Sequence, residues 1–153
     1  MMAPLPTSIE LQIVTPERML VHEKVDEVQV PGVDGFFGVL PGHTPLLAAL
    51  AVGELWYRRG QERTYVSIAY GFAEVLPNRV TILAQLAERA EDIDVERAES
   101  ARRRAVERLE QKSEVDYERA RLALAKSLTR LQVSARIASG AAPRFKRIQR
   151  EGS

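Results

Sequence analysis

The chain contains no cysteine. That absence excludes disulfides, thiolate metal sites and cysteine nucleophiles. Histidine is almost missing as well: only His22 and His43 occur. They stand too far apart in sequence for an H-E-x-x-H motif, and two are too few for a histidine-rich metal cluster. No stretch approaches the ~18 apolar residues that a membrane-spanning helix requires. Met1 to Thr7 offers neither a basic residue nor an apolar run of signal-peptide length. The expectation is a cytoplasmic chain that meets a membrane only through a partner. Glycine and proline are absent over residues 86–139, so that region has none of the usual helix breakers.

What is present reads in two halves. Hydrophobic residues make up 45% and charged residues 28% of the 153. That is an ordinary balance for a globular domain, or for one domain with an appendage. Residues 1–87 carry nine acidic and six basic side chains, and residues 88–136 carry eleven and twelve. The tail beyond them sets Arg144, Lys146, Arg147 and Arg150 against Glu151. A basic end of this kind attracts nucleic acid, anionic lipid or an acidic protein surface, and charge alone does not choose among them.

The first half has the patterning of β-structure. Ile9, Leu11 and Ile13 alternate with Glu10 and Gln12, the period-2 signature of a half-buried strand. Val25, Val28 and Val30 suggest a second strand, ended by Pro31-Gly32. Phe36 to Leu40 lies between Asp34-Gly35 and Pro41-Gly42 and reads as a short buried strand. Gly53–Arg58, Thr64–Tyr70, Gly71–Leu76 and Val80–Gln85 follow. Short strands at this spacing predict a sandwich or barrel.

The second half is rich in Ala, Glu, Arg and Leu, all strong helix formers. Ala98, Ala101, Ala105 and Leu109 form one seam at helical spacing. Tyr117, Ala120, Leu124, Leu128, Leu131 and Ala135 form another. Asp92 or Asp94 suits the N-cap of the first helix. Ser113 and Asp116 resemble a capping box for the second, which Gly140 and Pro143 would end. The predicted organisation is an N-terminal antiparallel β-sandwich over residues 1–87 and a two-helix antiparallel hairpin over residues 88–139. A basic tail, expected to be disordered, covers residues 140–153.

The first helix offers mainly alanines to its partner, and a buried alanine contributes only a fraction of the ~1.5–3 kcal/mol of a buried leucine. The turn between the helices has no backbone breaker. Two readings therefore stay open. The hairpin is permanently docked, or it has folded and extended states of similar free energy that a ligand or partner biases.

No catalytic constellation emerges. There is no nucleophile elbow, P-loop or G-x-G-x-x-G motif. The segments Gly32 to Gly35 and Gly35 to Gly38 lack the lysine and hydroxyl residue of a phosphate loop and read as turns. His43, in a Pro-rich loop, reads as structural or solvated. Glu91, Asp92 and Asp94 suit a helix N-terminus, where the dipole favours carboxylates. Arg102, Arg103 and Arg104 are consecutive and so fan around a helix as a solvated surface. Lys126 and Arg130, four apart, share a face that suits a phosphate chain or an acidic helix.

The stretch from Pro31 to Leu47, P-G-V-D-G-F-F-G-V-L-P-G-H-T-P-L-L, resembles the most recognisable segment of the epsilon subunits of bacterial F-type ATP synthases. Leu11 to Glu17, Gly53-Glu54-Leu55, Tyr70 to Val75 and Val80 to Ala84 continue the likeness in the family's order, over roughly residues 8–136. The basic tail departs from the shorter members. The resemblance implies a non-catalytic subunit of the central rotor stalk. Its sandwich would bind the gamma subunit and sit on the c-ring, coupling proton or sodium flow to ATP synthesis. Its helices would fold on the sandwich or extend into the alpha/beta catalytic head and block ATP hydrolysis. Asp34, Gly35, Phe36 and His43 resemble the c-ring- and gamma-facing end. The implied location is peripheral, on the cytoplasmic face of the bacterial inner membrane.

Ile93-Asp94-Val95-Glu96-Arg97-Ala98 resembles the I/L-D-x-x-R-A motif of the ATP-binding members. The resemblance implies ATP as a regulatory ligand, with no cofactor required. Asp94 would accept hydrogen bonds from adenine or ribose, and Arg97 one turn later would meet phosphates. Glu88 lies at a further family contact. Lys126 and Arg130 stand where the strongest ATP binders carry two arginines. Lys126 is a departure, because an ammonium lacks the bidentate fork of a guanidinium. A simple helix cap at Asp94 and a solvated Arg97 remain the alternative. Two other functions compete. A stand-alone nucleotide sensor would not need the segment from Pro31 to Leu47. A nucleic-acid binder would show a basic face with stacking aromatics, and aromatic residues make up only 6% of this chain.

Overall fold

The computed structural model describes residues 4–111 and 114–138. Seven strands come first: β1 Ile9–Val14, β2 Met19–Val25, β3 Glu27–Gly32, β4 Gly35–Val39, β5 Leu46–Arg59, β6 Glu62–Leu76 and β7 Arg79–Arg89. A 3-10 turn, Ala90–Asp92, leads to α1, Val95–Glu110, and α2, Glu114–Ala138. The basic tail and the Ser113 capping box lie outside the described residues.

The strands form one sheet in the order β2-β1-β7-β6-β5-β3-β4. All pairings are antiparallel except β1 with β7. The antiparallel sandwich expected from the sequence is present, with one parallel pairing at that seam. β1 and β7 are distant in sequence, so no hairpin fixes their relative direction, and each already has an antiparallel partner on its other side. The sheet closes on itself: from β5, the Tyr57 hydroxyl donates to Glu23 on β2 at 3.2 Å, although four steps of the strand order separate them. Burial and then the Glu23 carboxylate push the Tyr57 phenol well above its ordinary pKa. Leu11, Ile13, Val28, Leu55, Ile68 and Ile82 are fully buried in the single core that results. Each contributes roughly 1.5–3 kcal/mol of transfer free energy.

Most strand expectations match, and the departures have local causes. β4, expected as a buried strand, is an edge strand with Phe36 and Gly38 exposed and Val39 alone buried. β2 escaped the sequence reading because His22, Glu23 and Lys24 occupy its middle and break the apolar alternation. β5 starts seven residues earlier than Gly53, at Leu46, where a run of Leu and Ala gives no period. The two strands expected either side of Tyr70 are one strand, β6. Its break at Tyr70-Gly71 is nevertheless real in conformation: Tyr70 has φ 63° and Gly71 φ 131°. A bulky residue in the left-handed region costs on the order of 1–3 kcal/mol. The pairing with β5 and β7 persists on both sides of this point, which holds the strain in place.

Both faces of β6 are covered between Tyr65 and Ala69. Val66 and Ile68 enter the sandwich core, whereas Tyr65, Ser67 and Ala69 face the helices. α2 packs on β5, β6 and the 3-10 turn, and α1 packs on α2. The alanine seam of α1 is confirmed, with Ala98 and Ala105 buried. The seam expected on α2 is only partly the buried one. Ala120 is enclosed, but Tyr117 and Leu128 are about half exposed at 50% and 48%. The enclosed positions instead include Ser127 and Val133. α2 lies between a sheet and a helix, so two sides need small or apolar residues and no single seam describes it.

Gly71 offers the sharpest test of this frame. A Cβ there would overlap the Leu83 carbonyl oxygen of β7, at a φ that disfavours any side chain. Gly71→Ala should destabilise the sandwich by about 3 kcal/mol or more. The midpoint of chemical denaturation measures it; an unchanged midpoint would contradict the packing described.

Candidate functional site

The pairing of β5, β6 and β7 puts three residues in one row: Glu54 opposite Ser67 and Ser67 opposite Glu88. The next row is Val52, Ala69 and Leu86. Opposed residues share a face, so two carboxylates flank a serine beneath α2. Each meets an arginine of that helix. Arg130 donates to Glu88 through Nε at 2.7 Å and Nη2 at 3.2 Å. Arg136 donates to Glu54 through Nε at 3.0 Å and Nη2 at 2.8 Å. Both pairs are bidentate, the arrangement that a guanidinium fork favours. The Arg136 guanidinium also covers the Tyr65 ring at 4.6 Å. Its hydrogen bond to Glu54 raises its pKa, against the opposing effect of burial.

Beside this row a cavity of about 420 Å³ opens between the sheet and both helices. Val52, Ala69 and Leu86 form an apolar floor, and Ala101 and Ala123 narrow the helical side. Glu88, Arg97, Lys126 and Arg130 supply its charge. The volume falls within the ~300–1,000 Å³ usual for small-molecule sites, and apolar walls with a few convergent polar groups are the usual chemistry. Lys126 reaches over the Tyr70 ring, with Nζ 5.3 Å from its centroid. The Tyr70 hydroxyl is buried with no hydrogen-bond partner among the described residues. Among the described residues no carboxylate pairs with Arg97 or Lys126. Two uncompensated cations beside a concave apolar floor suit an anionic ligand with a flat apolar portion.

Of the seven ligand residues expected from the sequence, four therefore line one cavity: Glu88 from β7, Arg97 from α1, and Lys126 and Arg130 from α2. The other three have structural positions beside it. Asp94 is the N-cap of α1, its Oδ1 accepting the Arg97 amide at 3.1 Å. Ile93 is buried with Tyr65, Ala90 and Val133. Ala98 is buried and sits in the α1 seam facing α2.

The four remaining candidates stand elsewhere. Asp34 lies in the turn between β3 and β4, Gly35 and Phe36 begin β4, and the turn is held by the Val33 amide on the Ala49 carbonyl. Gly35 has φ 123° and so suits that turn. Phe36 is 61% exposed, a large apolar ring at an edge strand. His43 follows β4, its Nδ1 2.6 Å from the Thr44 carbonyl, and the preceding Gly42 amide donates to Pro77 in the β6–β7 turn.

Sequence reasoning missed Glu54, Tyr65 and Arg136. A signal was there: Glu54 is the only charge between Leu46 and Tyr57, and a lone charge in an apolar strand implies a buried partner. Neither cysteine nor a metal-binding cluster of three or more His, Asp or Glu exists among the described residues. No described helix is long and apolar enough to cross a membrane.

Residues 8–90 match the family model described as ATP synthase, Delta/Epsilon chain, beta-sandwich domain. Residues 91–135 match that described as ATP synthase, Delta/Epsilon chain, long alpha-helix domain. The chain is similar to the ATP synthase epsilon chain of Koribacter versatilis, 48% identical over 103 residues, or 67% of this chain and 72% of that one. Its identity to the ATP synthase epsilon chain of Nitratidesulfovibrio vulgaris is 52% over 104 residues, 68% of this chain and 78% of the other. Among solved structures it resembles a chain of the Euglena gracilis mitochondrial ATP synthase, OSCP/F1/c-ring in rotational state 1. That likeness has a TM-score of 0.75 at 25% identity and covers 83% of this chain and 81% of that one.

The cap at Asp94 can be separated from any ligand contact. Asp94→Ala should lower the stability of α1 by about 1 kcal/mol, whereas Asp94→Asn keeps most of the cap. Helical circular dichroism through a thermal ramp distinguishes the two variants. Identical curves would remove the capping role.

Proposed function

The chain belongs to the ATP synthase delta/epsilon chain family, and from that premise we propose that it is a regulatory, non-catalytic subunit of the central stalk. Its helical hairpin would restrain ATP hydrolysis when extended, and ATP would bind the folded form and hold it on the sandwich. One observation supports the ligand most: Glu88, Arg97, Lys126 and Arg130, drawn from β7, α1 and α2, line one cavity of about 420 Å³.

The chemistry of ATP suits that cavity. The floor of Val52, Ala69 and Leu86 offers apolar contact to a purine. Arg97 and Lys126 offer charge to phosphates, and Glu88 offers a carboxylate to an exocyclic amine. The carboxylate of this set, Glu88, is held in a bidentate pair by Arg130, and in this reading bound ATP would be sensed and not cleaved. Because the cavity has walls from the sheet and both helices, it exists only while the hairpin is folded. A ligand that binds the folded state alone shifts the population toward it.

The sandwich would carry the coupling role. Its turn from Asp34 to Phe36 and its His43 loop are the surfaces we assign to contact with gamma and the c-ring. The extended helices would reach the alpha/beta head. Membrane association would follow from the complex, on the cytoplasmic face of the bacterial inner membrane, and the coupling of proton or sodium flow would be mechanical.

Isothermal calorimetry of the isolated chain with millimolar ATP tests the ligand. Binding heat is expected, Arg97→Ala should weaken it by tenfold or more, and Lys126→Arg should strengthen it several-fold by restoring a bidentate fork. Absence of heat, or an unaffected Arg97→Ala variant, would remove ATP from the account.

A further inference from the structure

The two bidentate pairs beneath α2 do different work. Arg130 and its partner Glu88 border the cavity, so a ligand must meet or displace that pair. Arg136 and Glu54 do not line the cavity. They sit beyond it, beside the cluster of Tyr65, Ala90, Ile93 and Val133, against which Trp56 and Ile137 also pack. Glu54 is buried, 8% exposed, and both its oxygens accept from Arg136. Taking Arg136 away would leave a buried carboxylate without that partner, an expensive state.

Spacing makes the pairs a gauge of position. Arg130 and Arg136 are six residues apart, which is roughly 9 Å along a helix. Glu88 and Glu54 are in one row on β7 and β5, two strand spacings apart, roughly 9.5 Å. The match holds for one placement of α2 on the sheet. Sliding the helix by one turn would move each guanidinium by roughly 5.4 Å and break both pairs together.

We propose that Glu54 is the positioning residue of the hairpin: with Arg136 it clamps α2 to the sandwich in the absence of nucleotide and sets the register in which the cavity forms. Docking is thereby separable from ligand binding. The clamp presets the folded state, and nucleotide acts on a site that already exists. This deepens the proposed regulatory reading, since it rests on a hairpin that opens. Linkage gives it a quantitative form. If only a fraction of molecules is docked, the apparent dissociation constant of any ligand of the docked form rises by the inverse of that fraction.

The test uses the full chain. With no native cysteine, Gln61→Cys and Gln132→Cys supply two exposed spin-label positions, one on the β5–β6 turn and one on α2. Pulsed electron spin resonance without nucleotide should give one short distance for the labelled parent. Glu54→Gln and Arg136→Met should each shift the docked-to-open ratio by about tenfold or more, adding a longer distance. The thermal transition of the sandwich should stay where it is in Arg136→Met. A single short distance in Arg136→Met overturns the clamp. If Glu54→Gln unfolds the sandwich, Arg136→Met decides alone, because its side chain belongs to the helix. A parent that already shows mainly long distances also overturns it. ATP titration of the labelled Arg136→Met variant forms a second arm: the apparent affinity should fall by the same factor as the docked fraction. If the parent binds no ATP, the nucleotide reading fails while the distances still judge the clamp.

Discussion

The row Glu54–Ser67–Glu88, set by the pairing of β5, β6 and β7, is the constraint on which the helical half depends. A strand register places two carboxylates on the outer face of a sandwich whose other face carries the apolar core. A one-residue slip would send both into the core. The register is secured by Leu55, Val66 and Ile68 on the inner face, so packing inside the sandwich dictates charge positions outside it. Arg130 and Arg136 then fix where α2 lies, and α1 follows because it packs on α2. The cavity is a consequence: it is the space left between a placed helix pair and an apolar floor.

This order of dependence is consistent with the proposed movement of the hairpin. The sandwich has a core of its own, separate from the cluster that the helices cover. α1 contributes chiefly alanines, and α2 turns half-exposed Tyr117 and Leu128 away from the sheet. What keeps the helices down is a small apolar cluster around Tyr65 and Val133 together with the ion pairs. Charged contacts of that sort can be exchanged for others on a partner, whereas an apolar core of leucines could not be opened without a large loss. The strained Tyr70, with a buried hydroxyl and Lys126 over its ring, lies where the sheet, α2 and the cavity meet. Strain concentrated beside a candidate site is common where a ligand acts.

Much of this was legible in the sequence. The alternation at Ile9, Leu11 and Ile13 marked β1, the change of composition near Leu86 marked the passage to helices, and Asp94 was one of two candidates for the cap it forms. Of the ligand candidates taken from the family resemblance, Glu88, Arg97, Lys126 and Arg130 line one cavity. Three things were hidden, each for a physical reason. β2 carries charges through its middle because it is an edge strand with a solvated face. The parallel pairing of β1 with β7 depends on strand order, which no local pattern records. The pairing of Glu54 with Arg136 joins residues 82 positions apart, and only the sheet register brings them together.

In the proposed reading, ATP and the docked hairpin stabilise one another. Amide hydrogen exchange of the isolated chain, with and without millimolar ATP, reads this residue by residue. Slower exchange with ATP across residues 120–137, with exchange in β1 and β2 unchanged, is expected. Equal exchange across α2 in the two conditions, at ATP concentrations that saturate the binding heat, would contradict it.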